Sequence, residues 1–247
     1  MSTTLEPARP TRPAPADAGR PAGPDVARLS AWSGVAFTVC QLSVMVAMAV
    51  FVLPKGGGPT TPALERGVNV LDAADLYRLG NYVFMAAGSL LLGFLGVVHL
   101  RLRRADETGV LAGVALAAGT LLALIWPLAG VLHDVAIDTA DAGADVRILG
   151  AWDSVAPYSL AFSAFPRVFF LLALVLGLRL AGDSRWLQRT GLAIAALSLV
   201  GTGTLLAGAL FPALALSTLA YEIWVGALAW HWLREGRRPG SARPSAA

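Results

Sequence analysis

The sequence predicts an all-α fold, a polytopic bundle of six transmembrane helices, from its composition and from the lengths of its apolar runs. Of its 247 residues, 56% are hydrophobic and only 14% are charged, whereas a soluble protein carries about 25% charged residues. One soluble core could not enclose that many apolar side chains, but a bilayer can solvate them. Six apolar runs reach the roughly 20 residues that a helix needs to cross a hydrocarbon core about 30 Å thick.

The predicted spans form one membrane domain, residues 29–236, between two polar tails. The spans cover about residues 29–53, 80–100, 108–132, 157–178, 190–210 and 212–233. Residues 1–28 are rich in proline, alanine, glycine and arginine, and we expect them, like residues 237–247, to form a disordered cytoplasmic tail. Between the first two spans, Thr61 and Pro62 predict the start of a short helix, since threonine suits a cap and proline suits the first turn.

The distribution of basic residues predicts that both termini are cytoplasmic. With the N-terminus inside, the inner segments hold 14 of the 19 lysines and arginines, the outer segments hold 4, and Arg167 lies within a span. Short cytoplasmic loops carry an excess of Lys and Arg in this way. We therefore expect a multi-pass protein of the cell membrane whose main partner is the lipid bilayer. Because the basic residues border apolar runs, nucleic-acid binding is not expected.

Two ionisable residues lie deep inside predicted spans. Arg167 and Glu222 each follow a proline by ten residues, so at about 1.5 Å per residue each lies roughly 15 Å into its helix. An unpaired charge at that depth costs at least about 3 kcal/mol. We therefore expect Arg167 and Glu222 to form an intramembrane pair, which Tyr158, Tyr221 and Ser163 could extend.

The predicted pair has a structural and a functional interpretation. As a structural clasp it fixes two helices against each other, as in an accessory membrane protein. As a functional site it serves a small-solute or ion transporter or a membrane sensor, or it serves a membrane-embedded enzyme in which Glu222 acts as general acid or base. One pair is not a proton relay, and the sequence contains no nucleophile elbow, phosphate loop or zinc-protease motif. The sequence therefore favours the structural role over transport and over catalysis.

Four aspartates follow the third predicted span at intervals of four, three and four residues. They are Asp134, Asp138, Asp141 and Asp145. On a continuing helix they would share one face, where like charges repel and could attract a divalent cation. Side chains along one helix cannot wrap a cation as an EF-hand loop does, so we favour a solvated acidic face without a metal.

Other features predict no cofactor and leave the oligomeric state open. His99 and His231 end two predicted spans on the same side and could ligate a haem or a metal, but histidine also suits a helix C-terminus, which we favour. Gly109 and Gly113 form a GxxxG pattern, typical of close helix packing in membranes. We favour packing within the chain, the alternatives being a homodimer or another membrane-protein partner.

Three stretches carry a resemblance to a known family. They read LYRLG at 76–80, GDSRWLQRTGL at 182–192, and YEIW at 221–224 followed by AWHWLREG at 229–236. The chain resembles, over about residues 28–236, the bacterial six-helix membrane proteins of the domain-of-unknown-function family numbered four-three-eight-six. The resemblance implies the six-span architecture and a glutamate in the last helix at Glu222, and it implies no activity.

Overall fold

The computed structural model of the protein describes residues 26–52, 54, 61–152 and 155–235. Over these residues the fold is all-α, 91% helical and without strands. The predicted tails at residues 1–28 and 237–247 lie outside the described residues, apart from positions 26–28, which begin the first helix. The all-α prediction is therefore confirmed.

The described residues form eight α-helices. In chain order these are α1 Val26–Ala47, α2 Ala63–Asp72, α3 Ala74–Ala105, α4 Val110–Asp141, α5 Val146–Trp152, α6 Val155–Leu180, α7 Arg185–Gly201 and α8 Phe211–Glu235. A π-helical turn, Met48–Val52, extends α1, and the 3₁₀ turns Thr202–Leu205 and Gly208–Leu210 join α7 to α8. The short helix predicted after Thr61 and Pro62 is confirmed as α2. The predicted cap is wrong by one position, because Pro62 is the N-cap residue, α2 begins at Ala63 and no side chain caps it.

Five helical segments of the described chain are long and apolar enough to cross a membrane. They are Val26–Phe51, Ala74–Ala105, Val110–Asp141, Tyr158–Leu180 and Gly208–Glu235. Several long apolar helices of this kind indicate a multi-pass integral membrane protein.

The predicted span at 190–210 differs from the others. It corresponds to α7, which begins at Arg185 and ends at Gly201, and whose 17 residues fall short of the roughly 20 that a span needs. The glycines at 201, 203 and 208 explain the early end, because glycine is a poor helix former. The chain continues from there in tight turns to the start of α8.

The six longest helices pack in a ring. Each contacts the next in the order α1, α3, α4, α6, α7 and α8, and α8 returns to α1. The interior holds the main hydrophobic cluster, in which Leu91, Phe94, Phe170 and Leu171 are almost fully buried. The short helix α7 therefore completes the ring rather than lying outside it.

Helices α2 and α5 pack against each other beside one end of the ring. A Cβ atom at Gly67 would overlap the backbone carbonyl of Val146, and one at Gly150 would overlap that of Ala63. Glycine is therefore required at both positions for the two backbones to approach. This end also carries the aspartates of α4, and we call it the aspartate-rich end. The opposite end, which carries Arg28, is the arginine-rich end.

The GxxxG glycines do not pack helices together within the chain. Gly109 precedes α4 with a left-handed φ of 74°, a conformation that glycine adopts without steric cost. A Cβ atom at Gly113 would meet nothing within 4 Å. The expectation of packing within the chain at this pattern is therefore wrong, because Gly109 belongs to the turn before α4 and Gly113 points away from the bundle.

Candidate functional site

Arg167 lies in the middle of the ring, where α6 faces α8. Its side chain is 1% exposed and is the largest of the fully buried side chains. The guanidinium donates hydrogen bonds to the hydroxyl oxygens of Ser163 at 2.7 Å and Ser217 at 3.2 Å, and it lies 5.4 Å from the ring centroid of Tyr221. Ser163 precedes Arg167 by one helical turn, and Ser217 comes from α8. The buried cation is thus held by two hydroxyls and an aromatic face.

Glu222 lies on the side of α8 that faces the interior of the ring, and its side chain is 2% exposed. No nitrogen of Arg167 lies within 4.0 Å of its carboxylate oxygens, the limit for a salt bridge, and Oε2 has no hydrogen-bond partner. Thr38 of α1 donates a hydrogen bond of 2.8 Å to the backbone carbonyl of Glu222. The direct Arg167–Glu222 contact that the sequence suggested is therefore not made, although both side chains line one cavity.

That cavity lies where five helices of the ring meet. Its lining residues are Phe37, Gln41, Leu91, Leu122, Trp126, Arg167, Thr218, Tyr221 and Glu222. The volume of the cavity that the centre of a water molecule can occupy is about 10 Å³. This is about the volume that one water molecule needs. Its size suits one water molecule and no larger solute.

Four polar atoms of the residues around this cavity have no hydrogen-bond partner in the protein. They are Gln41 Oε1, Arg167 Nε, the Tyr221 hydroxyl and Glu222 Oε2. An unsatisfied buried polar group costs about 1–3 kcal/mol, so this concentration is unusual for a core. We call Gln41, Arg167, Tyr221 and Glu222 the polar centre.

The polar centre differs from the predicted site at two positions. Tyr158, which was expected to extend the site, is 59% exposed and is not part of it. It precedes Arg167 by nine residues, which at about 100° per residue places it on the opposite face of α6. Gln41 was missed, although a polar side chain inside a predicted span is itself a signal.

The predicted acidic face pairs with α3 at the aspartate-rich end. Arg78 donates to Asp138 and Asp141 at 2.9 Å each, and the Asn81 amide donates to Asp134 at 2.7 Å. Asp145 accepts a hydrogen bond from the backbone of Arg147 at the start of α5. Arg78 thus lies at the position where the sequence suggested a divalent cation. The acidic face joins α3 to α4 and does not face solvent alone.

A second group of ionisable side chains lies at the arginine-rich end. His231 Nε2 lies 2.7 Å from Asp183 and 3.3 Å from Glu235, and Arg101 donates to Glu235 at 3.0 Å. The ligand atoms of Asp183, His231 and Glu235 all lie within 4.8 Å of one another. Of the described residues, these three are the ones placed to hold a metal ion. His99 is exposed and takes no part in the group.

Comparison with known proteins yields no match to a family model, to a curated protein or to a solved structure. The resemblance to the six-helix family stays a prediction.

Proposed function

We propose that the chain is a structural or accessory protein of the cell membrane, with six spans and both termini in the cytoplasm. Its polar centre acts as a clasp that fixes α1, α6 and α8 in one register. Arg167 of α6, Glu222 of α8 and Gln41 of α1 are the residues of the clasp, one from each helix.

The closed ring supports the count of six spans. Helix α7 contacts both α6 and α8, as a neighbouring span would, and a short hydrophobic helix is accommodated by local thinning of the bilayer or by its flanking residues. Arg185 and Arg189 at the start of α7 are exposed, on the side that the positive-inside rule assigns to the cytoplasm.

The observation that carries the structural role is the closure of the polar centre. Arg167 is 1% exposed and Glu222 is 2% exposed, and the space between the helices suits about one water molecule. A transporter needs a site that opens to one side and accommodates its solute. Glu222 and Arg167 sit instead among packed helices, as a clasp does.

A water molecule in the cavity would complete the clasp. The cavity is bordered by a cation, a carboxylate and an amide, and a buried water typically makes about three hydrogen bonds to such groups. It would link Arg167 to Glu222 without direct contact and would relieve several of the unsatisfied atoms. Arg167 and Glu222 then stabilise each other through water and through the low-dielectric interior.

The unsatisfied carboxylate oxygen favours a second candidate, a proton site of a membrane sensor or transporter. Intramembrane glutamates that exchange protons with water mark such proteins. Catalysis on a lipophilic substrate receives less support. A more open, mainly apolar cavity between α1, α3 and α4 is lined by Tyr77, Asn81 and His133, but not by Glu222.

Glu222→Gln separates the two candidates. The purified protein and the variant would be reconstituted into vesicles loaded with a pH-sensitive dye, and thermal unfolding would be measured in parallel. The clasp predicts a less stable variant and the same proton flux for both proteins, no greater than for empty vesicles. A flux carried by the parent protein and lost in a variant that still folds would overturn the structural proposal in favour of the proton site.

A further inference from the structure

The arginine-rich end of the bundle carries three ionisable side chains that the clasp does not use. His231 and Glu235 lie four residues apart on α8, so they share one face of that helix. Asp183 lies in the turn between α6 and α7. One imidazole nitrogen and two carboxylate oxygens of these side chains all lie within 4.8 Å of one another. We call Asp183, His231 and Glu235 the histidine–carboxylate group.

One hydrogen on the imidazole does not satisfy both carboxylates of this group. His231 Nε2 lies 2.7 Å from Asp183 Oδ1 and 3.3 Å from Glu235 Oε1, but a ring nitrogen carries at most one hydrogen. Nε2 can therefore donate a well-aligned hydrogen bond to only one of the two oxygens. The two carboxylates also repel each other at this separation, and a cation between them would remove the repulsion.

The spacing of the three ligand atoms suits a transition-metal ion. Zinc binds a histidine nitrogen at about 2.0–2.1 Å and a carboxylate oxygen at about 2.0–2.2 Å, so the ligand atoms around one zinc ion lie about 3.0–3.5 Å apart. The distances from His231 Nε2, 2.7 and 3.3 Å, are close to this spacing. The separation of the two carboxylate oxygens, at most 4.8 Å, closes by rotation of the partly exposed Glu235 side chain.

Other contacts hold both carboxylates in position. Arg101 donates to Oε2 of Glu235 at 3.0 Å, so Oε1 is the oxygen on the imidazole side. The backbone N–H of Asp183 donates to the Leu178 carbonyl at 2.9 Å, and the Gln188 amide donates to the Asp183 carbonyl at 2.9 Å. The turn that carries Asp183 is thus fixed to α6 and α7. Outer hydrogen bonds of this kind orient the ligands of metal sites.

We propose that the histidine–carboxylate group binds a divalent transition-metal ion, with zinc as the best match. A nitrogen ligand favours this class over Ca²⁺ and Mg²⁺, which prefer oxygen ligands. The side chains of Asp183, His231 and Glu235 are 13%, 32% and 36% exposed, so an ion can enter and water can complete its coordination. The ion ties the turn after α6 to the end of α8. The proposal concerns residues outside the polar centre and stands whether the clasp or the proton site is correct there.

The test measures zinc binding by the whole chain in detergent, after removal of any histidine tag and of bound metal with a chelator. Equilibrium dialysis with elemental analysis gives the stoichiometry and the affinity. The test variants are His231→Gln and Asp183→Asn, which each remove one ligand and keep a side chain of similar size. The matched control is His99→Gln, because His99 is an exposed histidine outside the group. The visible absorption spectrum of the Co²⁺-loaded parent protein reports coordination by side chains without any substitution.

We expect the parent protein and the control to bind one equivalent of zinc and to melt at a higher temperature with it. Each test variant should bind zinc at least about 100-fold more weakly, since loss of a residue that only orients a ligand already costs about 10–100-fold. Cobalt should give visible bands in the parent protein that zinc abolishes. Where melting without metal shows that a test variant does not fold, the other variant and the cobalt spectrum decide. Absence of a stoichiometric ion, equal affinity in the parent protein and a folded test variant, or an equal loss in the control would overturn the proposal.

Discussion

The polar centre and the ionisable group at the arginine-rich end use similar side chains in opposite ways. At that end, His231 and Asp183 lie 2.7 Å apart, and Arg101 and Glu235 lie 3.0 Å apart, yet all four side chains are partly open to solvent. In the middle of the ring, Arg167 and Glu222 are almost fully buried and form no salt bridge with each other. Ion pairs thus form at the arginine-rich end, where water also solvates the charged groups, and not between the two buried charges.

The difference teaches that burial decides how much a polar group matters to this fold. Partly exposed ion pairs contribute little, since water screens them and holding the side chains costs entropy. A buried charge that loses its partners has no water to replace them. Substitutions in the polar centre should therefore have large effects, and substitutions at the two ends should have small ones.

The largest expected effect is that of Arg167→Gln. The substitution removes the hydrogen bonds that Ser163 and Ser217 accept from Arg167, and it leaves Glu222 without a compensating charge. We therefore expect a loss of about 3–5 kcal/mol in the free energy of unfolding. Unfolding in mixed micelles measures it. Arg179→Gln, on the same helix but exposed, should change stability by less than about 0.5 kcal/mol. Equal effects of the two substitutions would remove the distinction between the regions.

A smaller effect is expected for Ser217→Ala. Ser217 is fully buried and accepts a hydrogen bond from Arg167, and a hydrogen bond to a charged group contributes about 1.5–3 kcal/mol. The same unfolding measurement applies. Ser43→Ala is the control. Ser217 and Ser43 each donate a hydrogen bond to the carbonyl three residues back, but Ser43 is exposed and does not contact Arg167. If Ser43→Ala is as destabilised as Ser217→Ala, the lost bond to the carbonyl three residues back explains both effects, and the contact with Arg167 contributes nothing.

At the aspartate-rich end, Arg78→Gln should lower the melting temperature only slightly. The variant loses the contacts to Asp138 and Asp141, which are exposed and screened by salt. The difference from the parent protein should therefore shrink as sodium chloride is raised. A large difference that persists at high salt would mean that this end is as sensitive as the polar centre.

The smallest effect concerns Asp106, in the turn between α3 and α4. Hydrogen bonds from the Thr108 hydroxyl and the Leu111 backbone lower the pKa of Asp106 below its ordinary value of 3.8. Because the folded pKa is the lower one, the stabilisation is present above that value and is lost as the pH falls through the folded pKa. Melting curves of Asp106→Ala and the parent protein should differ at neutral pH and converge below about pH 3.8. A constant difference would contradict this assignment.

The sequence predicted the long helices well because apolar length alone decides whether a segment can cross a bilayer. The depth of Arg167 and Glu222 in the membrane stays a prediction, whereas their burial among the packed helices is observed. The predicted bounds of the helix at 190–210 were wrong, because glycines end α7 at Gly201 inside the apolar run. The prediction for Tyr158 was also wrong, because it considered the position along the helix and not the direction in which the side chain points.

The composition of the polar centre could not be derived from spacing. Gln41 reaches the cavity because α1 packs between α3 and α8, a contact that no local pattern encodes. His231 and Asp183 are 48 positions apart, and they meet only because the turn after α6 lies beside the end of α8. Such contacts depend on how the ring closes, which is a property of the whole chain.

The measurement closest to the central claim is a double-mutant cycle between Arg167 and Glu222. Unfolding free energies would be compared for Arg167→Gln, Glu222→Gln and the double variant in the same micelles. If the two charges stabilise each other across the cavity, the double variant should be less destabilised than the sum of the single variants, by about 1 kcal/mol or more. Effects that add to within about 0.5 kcal/mol would show that the two residues act independently and would contradict the clasp.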